Sequence, residues 1–384
     1  MAQDQSNILG SVSPEEFLSE YWQKKPLLIR GGFDDDPALI SPEELAGYSL
    51  DDDIESRLIQ HDDNQQQWQL SHGPLDEKVF RELGEANWTL LVQSLDYFHP
   101  PLQELTKTCS FLPRWRLDDI MVSFATDNGG VGPHLDKYDV FLVQGEGQRR
   151  WRIGYQGQNV SSINPHPHIA QVEPFEATID VIVNPGDILY IPPATPHWGI
   201  SIGNSITYSI GFRAPSIGSI LDALLSSQSL QFDSLWHDGG KLKKYHAFGA
   251  LHSELPDWAQ DELQHLLNRR ELLIAAGKTV TELKYPEAVG SVNLPKAQEL
   301  SEIALTEGIE LSPLARIAYF EHEQALLTFI NGIYFQFPIG LEKAIQKLNH
   351  QFHLSKNDLD ELPRLPLGEF LSHGIALGAL RLPE

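Results

Sequence analysis

Hydrophobic and polar positions change their period along this chain of 384 residues, and the changes divide it. Near the N-terminus the period is helical. Ser13-Pro14-Glu15-Glu16 supplies a cap, a proline at the first helical position and a glutamate that reaches back, after which Phe17, Tyr21 and Trp22 share one face. Lys24 to Arg30 reads as a short strand stopped by Gly31-Gly32, and Ser41-Pro42-Glu43-Glu44 repeats the helix-start signature. Residues 51–67 are acidic and glutamine-rich and are expected as a solvated surface segment. Trp88 to Gln93 is expected as a buried strand, and Pro100-Pro101 breaks the chain before a helix near 101–108.

From about residue 113 to 213 short strands alternate with turn signals, which predicts a small β barrel. Strands are expected at Arg116–Ala125, Thr178–Val183 and Asp187–Ile191, with a tight turn at Asn184-Pro185-Gly186. Gly145-Glu146-Gly147 predicts a hairpin, and Gly203-Asn204 a turn between strands Trp198–Ile202 and Ser205–Phe212. After Pro215 the period becomes helical at Ile217–Leu230 and Trp258–Ala276. Helices at Lys296–Leu305 and Leu341–Leu348, with a strand-like Gly332–Phe337, suggest a C-terminal α/β module resembling a winged helix. The expected division is 1–215 for the barrel with its helical entry, 216–300 for a helical region and 301–384 for the last module.

Composition narrows the setting. A single cysteine, Cys109, excludes an internal disulfide and fits a reducing compartment. The N-terminus lacks a signal-peptide pattern, and no run of 18 apolar residues occurs, so a cytoplasmic protein without a membrane span is expected. The formal net charge is −25, spread along the chain. That field repels a phosphate backbone and attracts a basic protein, although by itself it requires nothing beyond solubility.

Within the barrel, Gly132-Pro133-His134-Leu135-Asp136 sets an imidazole and a carboxylate two residues apart where a loop enters a strand. There i and i+2 share a face. Two other His-x-acid pairs compete. His61 and Asp63 lie in the charge-dense segment, and His252 and Glu254 lie in the helical region, where a two-residue step points side chains apart. A third donor, His197, follows the proline-braced turn Ile191-Pro192-Pro193-Ala194-Thr195-Pro196. His134, Asp136 and His197 together form a facial triad, the arrangement that binds iron(II) and leaves positions open. His166 and His168 are assigned to the surface.

These strings, with Gly145-x-Gly147-x-Arg149-Arg150-Trp151-Arg152 and the entry segment Tyr21–Ile29, resemble the JmjC-type cupin oxygenases dependent on iron(II) and 2-oxoglutarate. Over nearly the full length the chain is similar to the bacterial ribosomal oxygenases, arginine hydroxylases of large-subunit ribosomal protein sixteen. The resemblance implies a double-stranded β-helix core, a helical dimerisation region, a C-terminal winged helix, and iron(II), 2-oxoglutarate and dioxygen as cofactor and co-substrates. It points to Arg149 for the distal carboxylate of 2-oxoglutarate, with Ser123 as its hydroxyl partner. Strand alternation puts Arg149 with Trp151 and Arg150 with Arg152 on opposite faces and leaves open which face is inward.

A substrate arginine needs an acidic or aromatic anchor, and Asp127, Tyr138 and Asp139 are the candidates nearest in sequence. The partner implied is a basic ribosomal protein. A homodimer is expected from the resemblance and from the apolar positions Ile220, Leu221, Leu224 and Leu225. Two alternatives compete with this reading: an oxygenase acting on RNA, and a non-catalytic metal-binding barrel. Against RNA, residues 301–384 carry six Lys or Arg and eleven Asp or Glu.

Overall fold

A computed structural model describes residues 8–33, 37–62, 67–226, 235 and 255–383. The strands up to residue 212 are β1 (Leu27–Ile29), β2 (Ser56–Asp62), β3 (Gln67–His72), β4 (Trp88–Val92), β5 (Leu117–Ala125) and β6 (Val140–Ile153). They continue with β7 (Ser162–His166), β8 (Ile169–Val172), β9 (Ile179–Val183), β10 (Ile188–Ile191) and β11 (His197–Phe212). Nine of them form one antiparallel sheet in the order β1-β10-β6-β11-β5-β4-β2-β3, with β9 also on β6, and β7 pairs with β8 alone. This agrees with the β barrel expected from the sequence.

The barrel is organised by the β6–β11 ribbon, and here two expectations fail. Gly145-Glu146-Gly147 is not a hairpin, and Gly203-Asn204 does not separate two strands. Both glycine sites lie inside continuous strands, where the register shifts between Ile202 and Thr207. Gly147 (φ 63°) and Gly203 (φ 64°) are left-handed, as a hairpin would require, but they make a bulge. Below the bulge β6 pairs with β10, and above it with β9. One long ribbon therefore belongs to both walls, and that closes the barrel.

The run Val140-Phe141-Leu142-Val143 is apolar throughout because both of its faces are buried. Phe141 and Val143 join the main core beneath the N-terminal helix, with Phe17, Tyr190 and Phe212. Val140 and Leu142 face the opposite way, packing with Trp151, Val183 and Ile191. At the N-terminus the Ser13 hydroxyl caps Glu16, and a wide π-turn over Phe17–Tyr21 lets Phe17 and Trp22 both reach Tyr190. The segment expected to be solvated contains β2 instead, with Leu58 and Ile59 buried. Leu58 packs into the main core and Ile59 into a separate cluster with Leu91 and Ile169, which composition alone conceals.

Beyond the barrel, Trp258–Ala276 is two helices, Leu255–Leu266 and Arg269–Thr281, because Asn268 caps a new start. On the helix Ile217–Leu225, Leu221 and Leu225 are exposed while Leu224 is buried. Residues 227–230 of that expected helix, like Asp63 and the His252–Glu254 pair, lie outside the described residues. The C-terminal part has its own core around Leu326, Ile345, Leu348, Phe370 and Leu371. It combines a three-strand meander (317–338) with helices Leu294–Glu307, Glu342–Gln351 and Arg364–Ala376.

This part joins the barrel through a polar seam. Buried Arg316 donates to the Asp118 carbonyl (2.8 Å), and Arg114 to the Ala315 carbonyl (3.1 Å). Lys284 ion-pairs with both Asp118 and Asp119. No helix among the described residues is long and apolar enough to cross a membrane.

Candidate active site

The loop before β6 and the turn before β11 are clipped together by their backbones. His134 N–H donates to the His197 carbonyl and His197 N–H to the His134 carbonyl, each at 3.0 Å, while Ala194 N–H donates to the Asp136 carbonyl at 2.8 Å. Gly132 (φ 81°) turns the chain into this clip in a left-handed conformation, and a Cβ there would stand 2.0 Å from the Gln171 amide nitrogen. The clip brings one donor atom each from His134, Asp136 and His197 within 4.8 Å of one another. Asp136 Oδ2 is 3.5 Å from His197 Nε2 and 3.9 Å from His134 Nε2.

The tautomers are set by carbonyls, which only accept. His134 Nδ1 donates to Gly132 O (3.0 Å) and His197 Nδ1 to Thr195 O (2.9 Å), leaving each Nε2 lone pair turned toward Asp136. Burial and the adjacent His197 push the His134 imidazole down to about 4, against the opposing pull of Asp136. Burial opposes the Asp136 charge, but His197 and then His134, when their Nε2 atoms carry protons, hold its carboxyl at about 2; a bound metal would take the place of those protons. Two neutral imidazoles and a carboxylate on one side of a shared point are the donor set of a facial iron(II) site. The residues fit the metal.

The triad opens into a cavity of about 360 Å³ lined also by Ser123, Tyr138, Trp151, Arg149 and Asp119. Arg149 is buried and inward, while Arg150 is on the outer face in a two-pronged contact with Asp180, 2.7 Å at each prong. Arg149 donates to Ser123 Oγ (3.1 Å) and, through Nε and Nη2, to Ser205 Oγ (3.3 and 3.0 Å). No carboxylate among the described residues ion-pairs with it, and burial lowers its pKa to about 10. An uncompensated cation in a cavity is a place for an anion.

The three substrate candidates separate. Tyr138 lines the cavity and is 44% exposed. Asp139, one residue on, points the other way: it is fully buried and accepts from Tyr190 Oη (2.6 Å), Gln23 Nε2 and Arg116 Nη2 (3.0 Å each). It fastens the N-terminal segment to β10 and is not in the cavity. Asp127 is not there either, since its carboxylate accepts from Gly203 N–H (2.7 Å) and so holds the bulge of β11. His168 is exposed, as expected of a surface residue, and stands on the cavity rim.

Two site residues escape a reading of the sequence. Ser205 follows the bulge of β11, whose register no local signal reveals. Asp119 sits mid-strand in β5, where Asp118 has the same composition but the opposite face. Asp119 accepts at Oδ2 from Ser94 Oγ (2.5 Å), Gln93 Nε2 (2.7 Å) and Lys284 Nζ (2.9 Å).

Comparison with known proteins agrees with this geometry. A JmjC domain profile matches residues 104–220, and an AraC-like ligand binding domain profile matches residues 177–276. Ribosomal protein uL16 3-hydroxylase of Escherichia coli is 48% identical over 206 residues, 54% of each chain. A probable ribosomal oxygenase of Haemophilus influenzae is 40% identical over 216 residues, 56% of this chain and 52% of that one. The sequence matches thus span about half the length of these curated relatives. In three dimensions, YcfD, a ribosomal oxygenase from Escherichia coli in complex with cobalt and 2-oxoglutarate, superposes with a TM-score of 0.74. That match is 31% identical and covers 97% of this chain and 99% of the other. With this match over nearly the whole of both chains and the JmjC profile on the barrel, the chain belongs to the JmjC-domain ribosomal oxygenases.

Proposed function

We propose that this chain is an iron(II)- and 2-oxoglutarate-dependent protein hydroxylase acting on an arginine side chain of ribosomal protein uL16. The observation that carries the reading is Arg149: a buried cation with no acidic partner among the described residues, in the same cavity as the His134, Asp136 and His197 donors. His134, Asp136 and His197 would hold the metal on one face. Arg149 would take the distal carboxylate of 2-oxoglutarate with its fork, Ser123 and Ser205 fixing the guanidinium plane. When bound, the metal and its 2-oxo acid supply the oxidising power that splits dioxygen between a substrate C–H bond and succinate.

The chain's own part is placement. Tyr138 forms the entrance wall, and Val140, Leu142 and Trp151 supply the apolar part of the lining. Asp119 Oδ1 is turned toward Gly211, another cavity residue, and offers a carboxylate to a guanidinium. The similarity to uL16 3-hydroxylase supports the protein substrate, and the acidic surface suits a basic one.

Mass spectrometry of ribosomal proteins from cells with and without the gene tests the reading. The expected difference is one oxygen on an arginine of uL16, restored by the wild-type gene and not by His134→Ala. No one-oxygen difference on any arginine-containing peptide would reject it.

A further inference from the structure

Asp119 belongs to the barrel, but its charge is managed from outside it. Lys284 follows the helix Arg269–Thr281, well past the last barrel strand, and returns to place Nζ 2.9 Å from Asp119 Oδ2 and 3.2 Å from Asp118 Oδ2. Gln93 and Ser94, at the end of β4, donate to the same Oδ2. All three donors therefore converge on one oxygen. The other, Oδ1, stands on the cavity side, 3.4 Å from where a Cβ on Gly211 would be. A carboxylate held by one oxygen cannot rotate without losing three hydrogen bonds, so its free oxygen keeps a fixed direction.

We infer that Lys284 is a positioning residue for the substrate cation: it keeps Asp119 ionised and turned so that Oδ1 meets the incoming guanidinium. The proposal rests on the arginine-hydroxylase reading and adds that residues after the barrel complete its substrate site. The electrostatics agree. Burial alone raises the Asp119 pKa, and the Lys284 charge with the hydrogen bonds from Ser94 and Gln93 brings it below the ordinary value. Asp118 adds negative charge beside it, so without Lys284 a proton becomes the next available counter-charge. A protonated Asp119 is a weak acceptor for a guanidinium.

The seam contains a natural comparison. Arg213 also ties the barrel to the 279–284 segment, through Asp118 (3.2 Å) and the Val280 carbonyl (3.2 Å), but it does not touch Asp119. If Lys284 only seats that segment, losing Arg213 should do the same harm.

The test is calorimetric binding of a Gly-Arg-Gly peptide, blocked at both ends, to full-length protein loaded with manganese(II) and 2-oxoglutarate in the absence of oxygen. Lys284→Met should raise the peptide Kd about tenfold, while Lys284→Arg and Arg213→Met stay within about threefold of wild type. Three outcomes overturn the proposal: wild-type affinity in Lys284→Met, an equal loss in Arg213→Met, or no peptide binding by the wild type. Peptide binding of the expected pattern without one-oxygen modification of uL16 would instead reject the hydroxylase assignment and leave the positioning role standing.

Discussion

Arg149→Lys separates charge from shape at the co-substrate end of the cavity. The cation stays, but a single ammonium replaces a fork that Ser123 and Ser205 hold flat. Loss of two-pronged carboxylate pairing should raise the KM for 2-oxoglutarate by about tenfold or more with a smaller change in kcat, read from succinate formation. An unchanged KM would remove Arg149 from that role. At this scale the metal site is the most legible feature of the sequence, because a His-x-Asp pair after a Gly-Pro loop and a proline-braced turn mark its three donors, although the pair stands in the loop before β6 and not on a strand. Asp139 shows the opposite case. It is only one residue further from the metal ligands than Tyr138, yet the chain sends Tyr138 to the cavity with Val140 and Leu142, and Asp139 to the core side with Phe141 and Val143. Proximity along a strand says nothing about side until the register is known.

That register is a property of elements, and it depends on two glycines with one conformation and different surroundings. Both have positive φ, but a Cβ on Gly147 would stand 1.9 Å from the Asn204 carbonyl oxygen, whereas one on Gly203 would meet nothing within 4 Å. Gly203→Ala should therefore cost only the backbone penalty of about 1 kcal/mol. Gly147→Ala adds a collision with backbone that cannot move aside without breaking the β6–β11 ladder, and should cost roughly 3 kcal/mol in total. Urea denaturation of the two variants reads the difference, and equal midpoints would contradict the bulge geometry. The same pair explains why the sequence suggests hairpins. A left-handed glycine beside a polar residue marks a turn or a bulge alike, and only the partner strand, some fifty residues away, decides between them. Strands β1, β4, β5, β9 and β10 are legible from local pattern, while β2 and the continuity of β6 and β11 are not.

At the scale of the whole molecule, the barrel and the C-terminal part meet over buried charges that stability should report through pH. Asp96 is fully buried at this seam, with Oδ1 accepting from Ile120 N–H (2.8 Å) and Oδ2 without a hydrogen-bond partner among the described residues. Burial, then the neighbouring Asp119, pushes its carboxyl up to about 7, against the pull of the Ile120 amide and Arg316. An aspartate in the unfolded chain releases its proton near ~3.9. Between that pH and about 7 the folded protein keeps a proton that the unfolded chain has lost, so this residue's contribution to stability falls as pH rises through the window. Asp96→Asn keeps the Oδ1 acceptor and cannot ionise. The variant should gain stability relative to wild type as pH is raised from 4 to 7, by an amount on the order of 3–4 kcal/mol for a shift of this size. Denaturant titrations of both proteins at pH 4, 5.5 and 7 give the comparison. A wild-type advantage that grows toward pH 7 would mean that Asp96 is ionised in the fold and held by Arg316, and that the seam is an ion-pair network instead of a site that retains a proton.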